Sequence, residues 1–337
     1  MISNNVNHKA REGALGQKIA MAISGGVDSS LSAHLLIEQG YDVTGVHFKL
    51  WAEDYSFAKQ HQADAKKVAD SLNIPFEILD LKDAHEKKVV KYFLAEYKAG
   101  RSPNPCISCN KEIKFGLFYD WAMKQGFDYV ATGHYAKVEK NVYKNNSIIP
   151  NSEYLLLTPD DLKKDQTYFM HQLDEEQLKH IIFPVAHLTK DEVRAEARKK
   201  NIHVADKKNS ANICFIKNKT VRDFIRENLK ENPGDVTDEK GNVIGQHSGL
   251  YFYTVGQRHG FTINTKALIE KTRLVDDKHN PPPLFVIGKI LEKNHLIVGI
   301  KKQVETKEFC LGNLHLIYNS KFKIIYKNSS PRETFTL

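Results

Sequence analysis

Two groups of residues in this sequence have the types and spacing that chemistry needs. The first is Ser24-Gly25-Gly26-Val27-Asp28-Ser29-Ser30, which follows the apolar run 19–23 and precedes Leu31, Ala33, Leu35, Leu36 and Ile37, spaced as one helix face. The order is strand, tight loop, helix. Gly25 and Gly26 let the backbone approach a phosphate closely, and the start of the helix turns its unpaired N–H groups and positive dipole end toward the same anion. Ser24, Ser29 and Ser30 add hydroxyl donors. A carboxylate beside phosphate repels it unless a cation intervenes, so Asp28 reads as a magnesium-binding or pyrophosphate-positioning residue. The second group is Cys106 and Cys109, in the Gly/Pro-rich stretch 100–115, with Cys214 far downstream in Ile213-Cys214-Phe215-Ile216. Cys109 is expected to open a helix, where the dipole and nearby Lys111 lower its thiol pKa and favour the thiolate. One activated cysteine in a nucleotide crevice suggests a nucleophile, and a distant second able to reach it suggests a persulfide and disulfide relay.

The loop has neither Gly-x-x-x-x-Gly-Lys-Ser/Thr nor Gly-x-Gly-x-x-Gly spacing. Ser-Gly-Gly-Val-Asp-Ser resembles the PP-loop of ATP pyrophosphatases, which attach AMP to a substrate oxygen and release pyrophosphate. The elements around it read as an alternating α/β pattern. Strands are expected at 41–50, 76–79 and 129–132, and helices at 60–72, 84–98 and 110–125, which predicts a doubly wound parallel sheet. Ligands of such sheets lie beyond the strand C-termini, so Gly25-Gly26, Phe48 and Gly133-His134 should converge on one crevice. A hairpin is expected over 137–157 around Lys144-Asn145-Asn146, and a helix opening at Thr189 with Glu192 completing a capping box. Beyond about residue 231 short β-rich runs take over. The strands 284–290, 296–300, 309–318 and 322–326 suggest a small β-barrel, and Cys310 reads as a buried strand residue.

Motifs in both groups, with others in order between 18 and 300, resemble the tRNA-specific 2-thiouridylases of the MnmA/TrmU type. They are Ser-Gly-Gly-Val-Asp-Ser, Asn-Pro-x-x-x-Cys-Asn-Lys-Glu-Ile-Lys-Phe, Ala-Thr-Gly-His-Tyr, Lys-Asp-Gln-Thr-Tyr-Phe, Ile-Cys-Phe-Ile and Tyr-Thr-Val-Gly-Gln-Arg. The resemblance implies ATP-dependent adenylation of O2 of the wobble uridine, followed by sulfur transfer to give 2-thiouridine. It implies that Ala22, Ile23, Ser24, Gly25, Gly26, Val27, Asp28 and Ser29 hold ATP, with Phe48 and Gly133 at the nucleotide. Cys109 matches the nucleophile and Cys214 the persulfide carrier, the two ending as a disulfide. Asn104, Pro105 and Cys106 match residues bordering the target base, and His134, Lys164, Asp165, Gln166 and Tyr326 residues that touch tRNA. ATP and Mg2+ are the implied cofactors. The implied partners are tRNA, with Lys, Glu and Gln acceptors, and a sulfur donor such as a cysteine desulfurase or sulfur relay protein.

The chain also departs from the family pattern. Many relatives carry Asp at the position of Cys106, and Ile325-Tyr326 stands where the family has Arg-Tyr. Alternatives to the relay are that Cys106-x-x-Cys109 is a redox pair or, with Cys214, supplies three ligands of an iron-sulfur cluster. The close of the chain at Leu337 leads us to expect a shortened barrel with open edges. A PP-loop synthetase acting on a small substrate is the rival enzyme reading, and a non-catalytic RNA-binding protein the rival from another class. His134 alone reads equally as a packing histidine, and Trp51 and Trp121 as core aromatics.

The whole chain bounds these readings. Its 337 residues suffice for several cores, and no stretch approaches the ~20 apolar residues of a membrane span. We expect a polar leader over 1–17, a nucleotide-binding catalytic domain over 18–206, a central tRNA-binding domain over 207–270, a barrel-like domain over 271–337, and a cytoplasmic location. Net charge is +8, and residues 190–230 hold 12 Lys and Arg against 6 Asp and Glu, which suits a polyanion.

Overall fold

The computed structural model describes residues 15–50, 56–141, 153–208, 213–216, 219–272, 282–304, 323–326 and 333–336. The expected leader up to residue 14, the hairpin turn at Lys144-Asn145-Asn146, the loop 209–212, the strand 309–318, Trp51 and Cys310 lie outside them. In chain order the elements begin β1 (Lys18–Ala22), α1 (Val27–Glu38), β2 (Asp42–Lys49), α2 (Ser56–Ser71), β3 (Phe76–Asp80), α3 (Lys82–His85), a π-helical turn (Glu86–Val90) and α4 (Lys91–Lys98). Then come α5 (Pro105–Cys109), a π-helical segment (Asn110–Leu117), α6 (Phe118–Lys124), β4 (Tyr129–Ala131), β5 (Lys137–Lys140), β6 (Tyr154–Leu157), a 3-10 turn (Thr167–Met170), α7 (Glu175–Lys179), β7 (Ile181–Ile182) and α8 (Lys190–Lys199). The chain continues through α9 (Val221–Asn228), β8 (Gly234–Thr237), β9 (Val243–His247), β10 (Thr262–Ile263), α10 (Thr265–Lys271), β11 (Phe285–Ile290), β12 (His295–Gly299), β13 (Lys323–Tyr326) and β14 (Glu333–Thr336). It divides into two units, residues 1–85, 106–209 and 314–337, and residues 86–105 and 210–313.

In the first unit β3-β2-β1-β4-β7 form a parallel sheet, as the alternating pattern predicts. β1 is buried on both faces. Ile19, Met21 and Ile23 join Ala33, Leu36, Val43 and Val68 on one side, while Ala20 lies with Val46, Phe115, Phe118 and Val130 on the other. A two-residue pleat buried twice requires an unbroken apolar run, and residues 19–23 supply it. Trp121 stacks on Phe118 within this core, at 6.1 Å and 21°. β5 and β6 pair antiparallel, with Lys137 opposite Leu157, across the span expected for the hairpin.

The order of the strands places the reversal point at β1. Its neighbours β2 and β4 leave in opposite directions across the sheet, so the loops after β1 and β4 are adjacent and open a crevice there. Glycine at 133 makes that adjacency possible, because a Cβ there would stand 2.6 Å from the Ser29 backbone N and 2.8 Å from the Asp28 carbonyl carbon.

In the second unit β10-β9-β8-β12-β11 form a mixed sheet in which β8 and β12 run parallel and the other neighbours antiparallel. Strands from both sides of residue 270 therefore share one sheet. Its core gathers Ile225, Val236, Ile244, Phe252, Tyr253, Leu268, Val286, Leu296 and Val298. The buried Tyr253 hydroxyl donates to the Gly260 carbonyl at 2.5 Å.

Candidate active site

The phosphate loop lies between β1 and α1. Gly25 takes φ +76°, and a side chain there would meet the His61 carbonyl of α2 at 2.6 Å, so glycine answers both the torsion and the close approach. The loop is held from within: the Ser29 and Ser30 hydroxyls donate to the Gly26 carbonyl at 3.0 and 2.8 Å, and the Ser24 and Ser29 hydroxyls lie 3.1 Å apart. Nδ1 of buried His47 donates to the Ile23 carbonyl at 2.9 Å, and burial keeps that ring neutral by lowering its pKa. Phe48, at the end of β2, packs its ring against Phe118 at 4.9 Å.

Asp28 does not stand alone. Its carboxylate accepts from the Lys190 ammonium at 2.5 and 2.7 Å and from the Tyr135 hydroxyl at 2.7 Å. Burial and the Asp28 charge raise the Tyr135 pKa, so its proton stays on oxygen and donates. Lys207 approaches the other end of the loop, donating to the Gly25 carbonyl at 2.9 Å and to Asp64 at 2.6 Å. Lys190, Lys207, Tyr135 and Asp64 were not singled out by sequence reasoning. The available signals were the tyrosine that closes Ala-Thr-Gly-His-Tyr and the capping box, which the structure reproduces: Thr189 and Glu192 satisfy each other's backbone N–H groups at the start of α8.

The helix carrying the cysteines opens four residues earlier than expected. Pro105 begins α5, Cys109 ends it, and the run continues as the π-helical segment. Pro105 needs no N–H at a helix start, so the proline that read as loop is the helix's first residue. Cys109 is thus interior and 7% exposed. The expected fall in its thiol pKa is overturned: burial pushes it up, as it does for half-buried Cys106. The cation that opposes this rise for both thiols is Lys114, not Lys111. An i→i+5 repeat brings residues five apart onto one face, here Cys109 and Lys114. Gly116 permits that repeat, since a Cβ there would meet the Lys111 carbonyl at 2.6 Å.

Lys114 also joins the cysteine helix to the nucleotide crevice. Its ammonium stands 3.0 Å from His134 Nε2, which must therefore accept, leaving Nδ1 to donate to the Thr132 hydroxyl. Burial and the Lys114 charge hold this imidazole neutral, with its pKa well below 6.5. Gln166 braces the neighbouring residue, accepting the Tyr135 N–H on Oε1 and donating its own backbone N–H to the Tyr135 carbonyl, both at 2.9 Å. Asp165 Oδ1 accepts from the Thr167 N–H at 2.9 Å, and Lys164 is exposed on the same turn. Tyr326 ends β13, opposite Glu333.

The second unit holds the remaining candidates. Gly100 adopts φ +76°, its carbonyl accepts from the Lys289 ammonium at 2.9 Å, and Ser102 donates to Thr254 at 3.4 Å, anchoring the stretch that leads to Asn104 and Pro105. Burial lowers the Lys289 pKa to about 8. Cys214 is exposed on a turn closed by the Ile216 N–H to the Ile213 carbonyl at 2.9 Å. Phe215 packs on Phe93 and Phe224, each at 5.3 Å, and Ile216 is buried. The apolar residues of Ile-Cys-Phe-Ile thus anchor the turn while the sulfur faces outward. Among the described residues no three His, Cys, Asp or Glu gather to hold a metal ion, and no helix is long and apolar enough to cross a membrane.

Comparison with known proteins bears on what this arrangement does. Family models described as tRNA methyl transferase HUP domain and tRNA methyl transferase PRC-barrel domain match residues 17–218 and 222–300. The chain is 44% identical over 286 residues to the tRNA-specific 2-thiouridylase MnmA of Streptococcus agalactiae, covering 84% of this chain and 72% of that one. To the MnmA of Listeria monocytogenes it is 42% identical over 285 residues, covering 83% and 71%. A solved structure, the U34-tRNA thiolase NcsA from Methanococcus maripaludis with its 4Fe-4S cluster, is 19% identical over 65% of this chain and 66% of that one, at a TM-score of 0.39.

Proposed function

The chain belongs to the tRNA-specific 2-thiouridylase family and is a tRNA sulfurtransferase that uses ATP to form 2-thiouridine, and from that premise we propose how its residues divide the reaction. The observation that carries the assignment is the Gly133-His134 pair, in which Gly133 abuts the start of α1 and His134 bonds Lys114 of the cysteine helix. Nucleotide chemistry and thiol chemistry then meet at one strand end. Adenylation and sulfur transfer together, unlike methyl transfer, need both a phosphate loop and cysteines.

In the first stage O2 of the wobble uridine attacks the α-phosphorus of ATP held by residues 22–29. The O2–P bond forms, pyrophosphate leaves with the electron pair of the broken P–O bond, and the uracil N3 proton is lost. Uracil O2, a poor leaving group, thereby becomes part of AMP. In the second stage the outer sulfur of a Cys214 persulfide adds at C2 and AMP departs. The Cys109 thiolate then attacks the Cys214 sulfur, the persulfide S–S bond breaks with its electrons going to the sulfur on C2, and a Cys109–Cys214 disulfide remains for an external thiol to reduce. Phe48 and Gly133 border the nucleotide, and Asn104, Pro105 and Cys106 the base. By the family match, tRNA contact falls to His134, Lys164, Asp165, Gln166 and Tyr326.

Mg2+ would come with ATP and find hard oxygen donors in the loop hydroxyls and in Asp28, whose carboxylate it would share with Lys190 and Tyr135, and it would shield phosphate charge there. No step of the proposed reaction runs through a metal cluster. The exposed Cys214 turn suits loading by a protein donor such as a cysteine desulfurase or sulfur relay protein, and the acceptors are tRNAs for Lys, Glu and Gln, in the cytoplasm. The test follows 2-thiouridine by nucleoside mass spectrometry with ATP, magnesium, a persulfide donor and unmodified tRNA. Cys109→Ser and Cys214→Ser should each abolish product, and full thiolation by either variant contradicts the relay.

A further inference from the structure

Apart from the magnesium that accompanies ATP, the phosphate loop's own residues bring no cation to the leaving group. Residues 22–30 contain no Lys or Arg and do contain Asp28, while the departing pyrophosphate gathers negative charge as the P–O bond breaks. The hydroxyls of Ser29 and Ser30 are directed at the Gly26 carbonyl, and a helix terminus supplies only about half a positive charge. Two ammonium groups nevertheless flank the loop, Lys190 at Asp28 and Lys207 at the Gly25 carbonyl. We propose that Lys190 and Lys207 are the cations that receive the pyrophosphate leaving group. The inference rests on the adenylation reading and extends it to residues outside the motif.

Both lysines are delivered by one scaffold. The capping box fixes the first turn of α8, and the Lys190 N–H donates to Asp161 at 3.0 Å. One turn later Arg194 donates to the Ala205 carbonyl at 2.7 Å and to the Lys207 carbonyl at 3.0 Å, which holds the turn bearing Lys207. The Lys190 side chain is only 11% exposed. An ammonium that deep needs anionic company, and Asp28 supplies it in the structure. As the loop fills, phosphate oxygens become a second anionic partner within reach of the same flexible stems. The bland alternative is a pair of ion pairs that only brace the fold.

The two differ in what they predict for the product. Inorganic pyrophosphate and AMP are titrated separately by calorimetry, in magnesium, against wild type, Lys190→Met, Lys207→Met and the charge-matched pair Lys190→Met with Asp28→Asn. Folding is checked by thermal denaturation, and the charge-matched pair keeps the test open if the single change leaves Asp28 unpaired and unfolds the protein. Loss of one charge-assisted contact should weaken pyrophosphate binding by about tenfold to a hundredfold, with AMP binding within about twofold of wild type in Lys190→Met and Lys207→Met. Folded variants that bind pyrophosphate as wild type does, or wild type that does not bind it, overturn the proposal. Failure of wild type to release pyrophosphate from ATP with unmodified tRNA, despite binding it, would instead overturn the adenylation reading.

Discussion

A thiol in the interior of a helix ionises poorly unless a cation faces it, and for Cys109 that cation is Lys114. Replacing Lys114 by Met removes the favourable charge and leaves burial unopposed, so the Cys109 pKa rises further. Its alkylation by iodoacetamide, followed by peptide mass spectrometry against pH, should shift to higher pH, with Lys114→Arg recovering part of the shift. An unmoved profile in Lys114→Met would remove the lysine from the chemistry. Gly133 makes a second prediction of this scale. Its missing side chain gives the Ser29 N–H its room, so Gly133→Ala should overpack the junction by about 1–3 kcal/mol and suppress pyrophosphate release. The loop residues were legible in sequence because glycine, serine and aspartate follow one another there. Lys190 and Lys207 were not, being 162 and 182 residues from the partners they meet, and Lys114 was hidden by a π-helical repeat that no i, i+4 pattern reveals.

Among elements, α8 is the one whose local signal and tertiary task coincide. Thr189 with Glu192 three residues on is a helix start readable from spacing alone, and the helix forms there. What spacing could not say is that its first residue reaches Asp28. Thr189→Ala should cost about 1 kcal/mol, or about 2–4 °C in melting temperature, with Thr189→Ser near wild type. Calorimetric scans of the three proteins check this, and equal stabilities would show that the cap does not hold the helix. The parallel sheet was equally legible, because strands buried on both faces must be apolar throughout. The start of α5 was not, because proline reads as loop or as first helical residue with equal ease and only the structure decides.

Across the first unit, burial leaves His47, His85 and His134 uncharged, with His85 lowered from 6.5 to about 4. Between those values the unfolded chain binds a proton at His85 that the folded chain excludes, so stability falls as pH drops through that window. His85 alone contributes about 3 kcal/mol to that loss, and urea unfolding at pH 7, 5.5 and 4.5 should show it. His85→Gln should flatten the dependence, and an unchanged slope would place the acid sensitivity elsewhere. The basic run of residues 190–230 was legible as charge, and that same run contains Lys190 and Lys207 at the nucleotide loop, which composition could not separate from a surface for tRNA.

In the proposed reaction, adenylation by the phosphate loop and sulfur transfer by the cysteines are separable stages. Pyrophosphate release by Cys214→Ser, measured in a single turnover with ATP, magnesium and unmodified tRNA, tests it most directly. Release should approach one pyrophosphate per site with no 2-thiouridine formed. No pyrophosphate from a folded, tRNA-binding variant, or 2-thiouridine formed without Cys214, would contradict it.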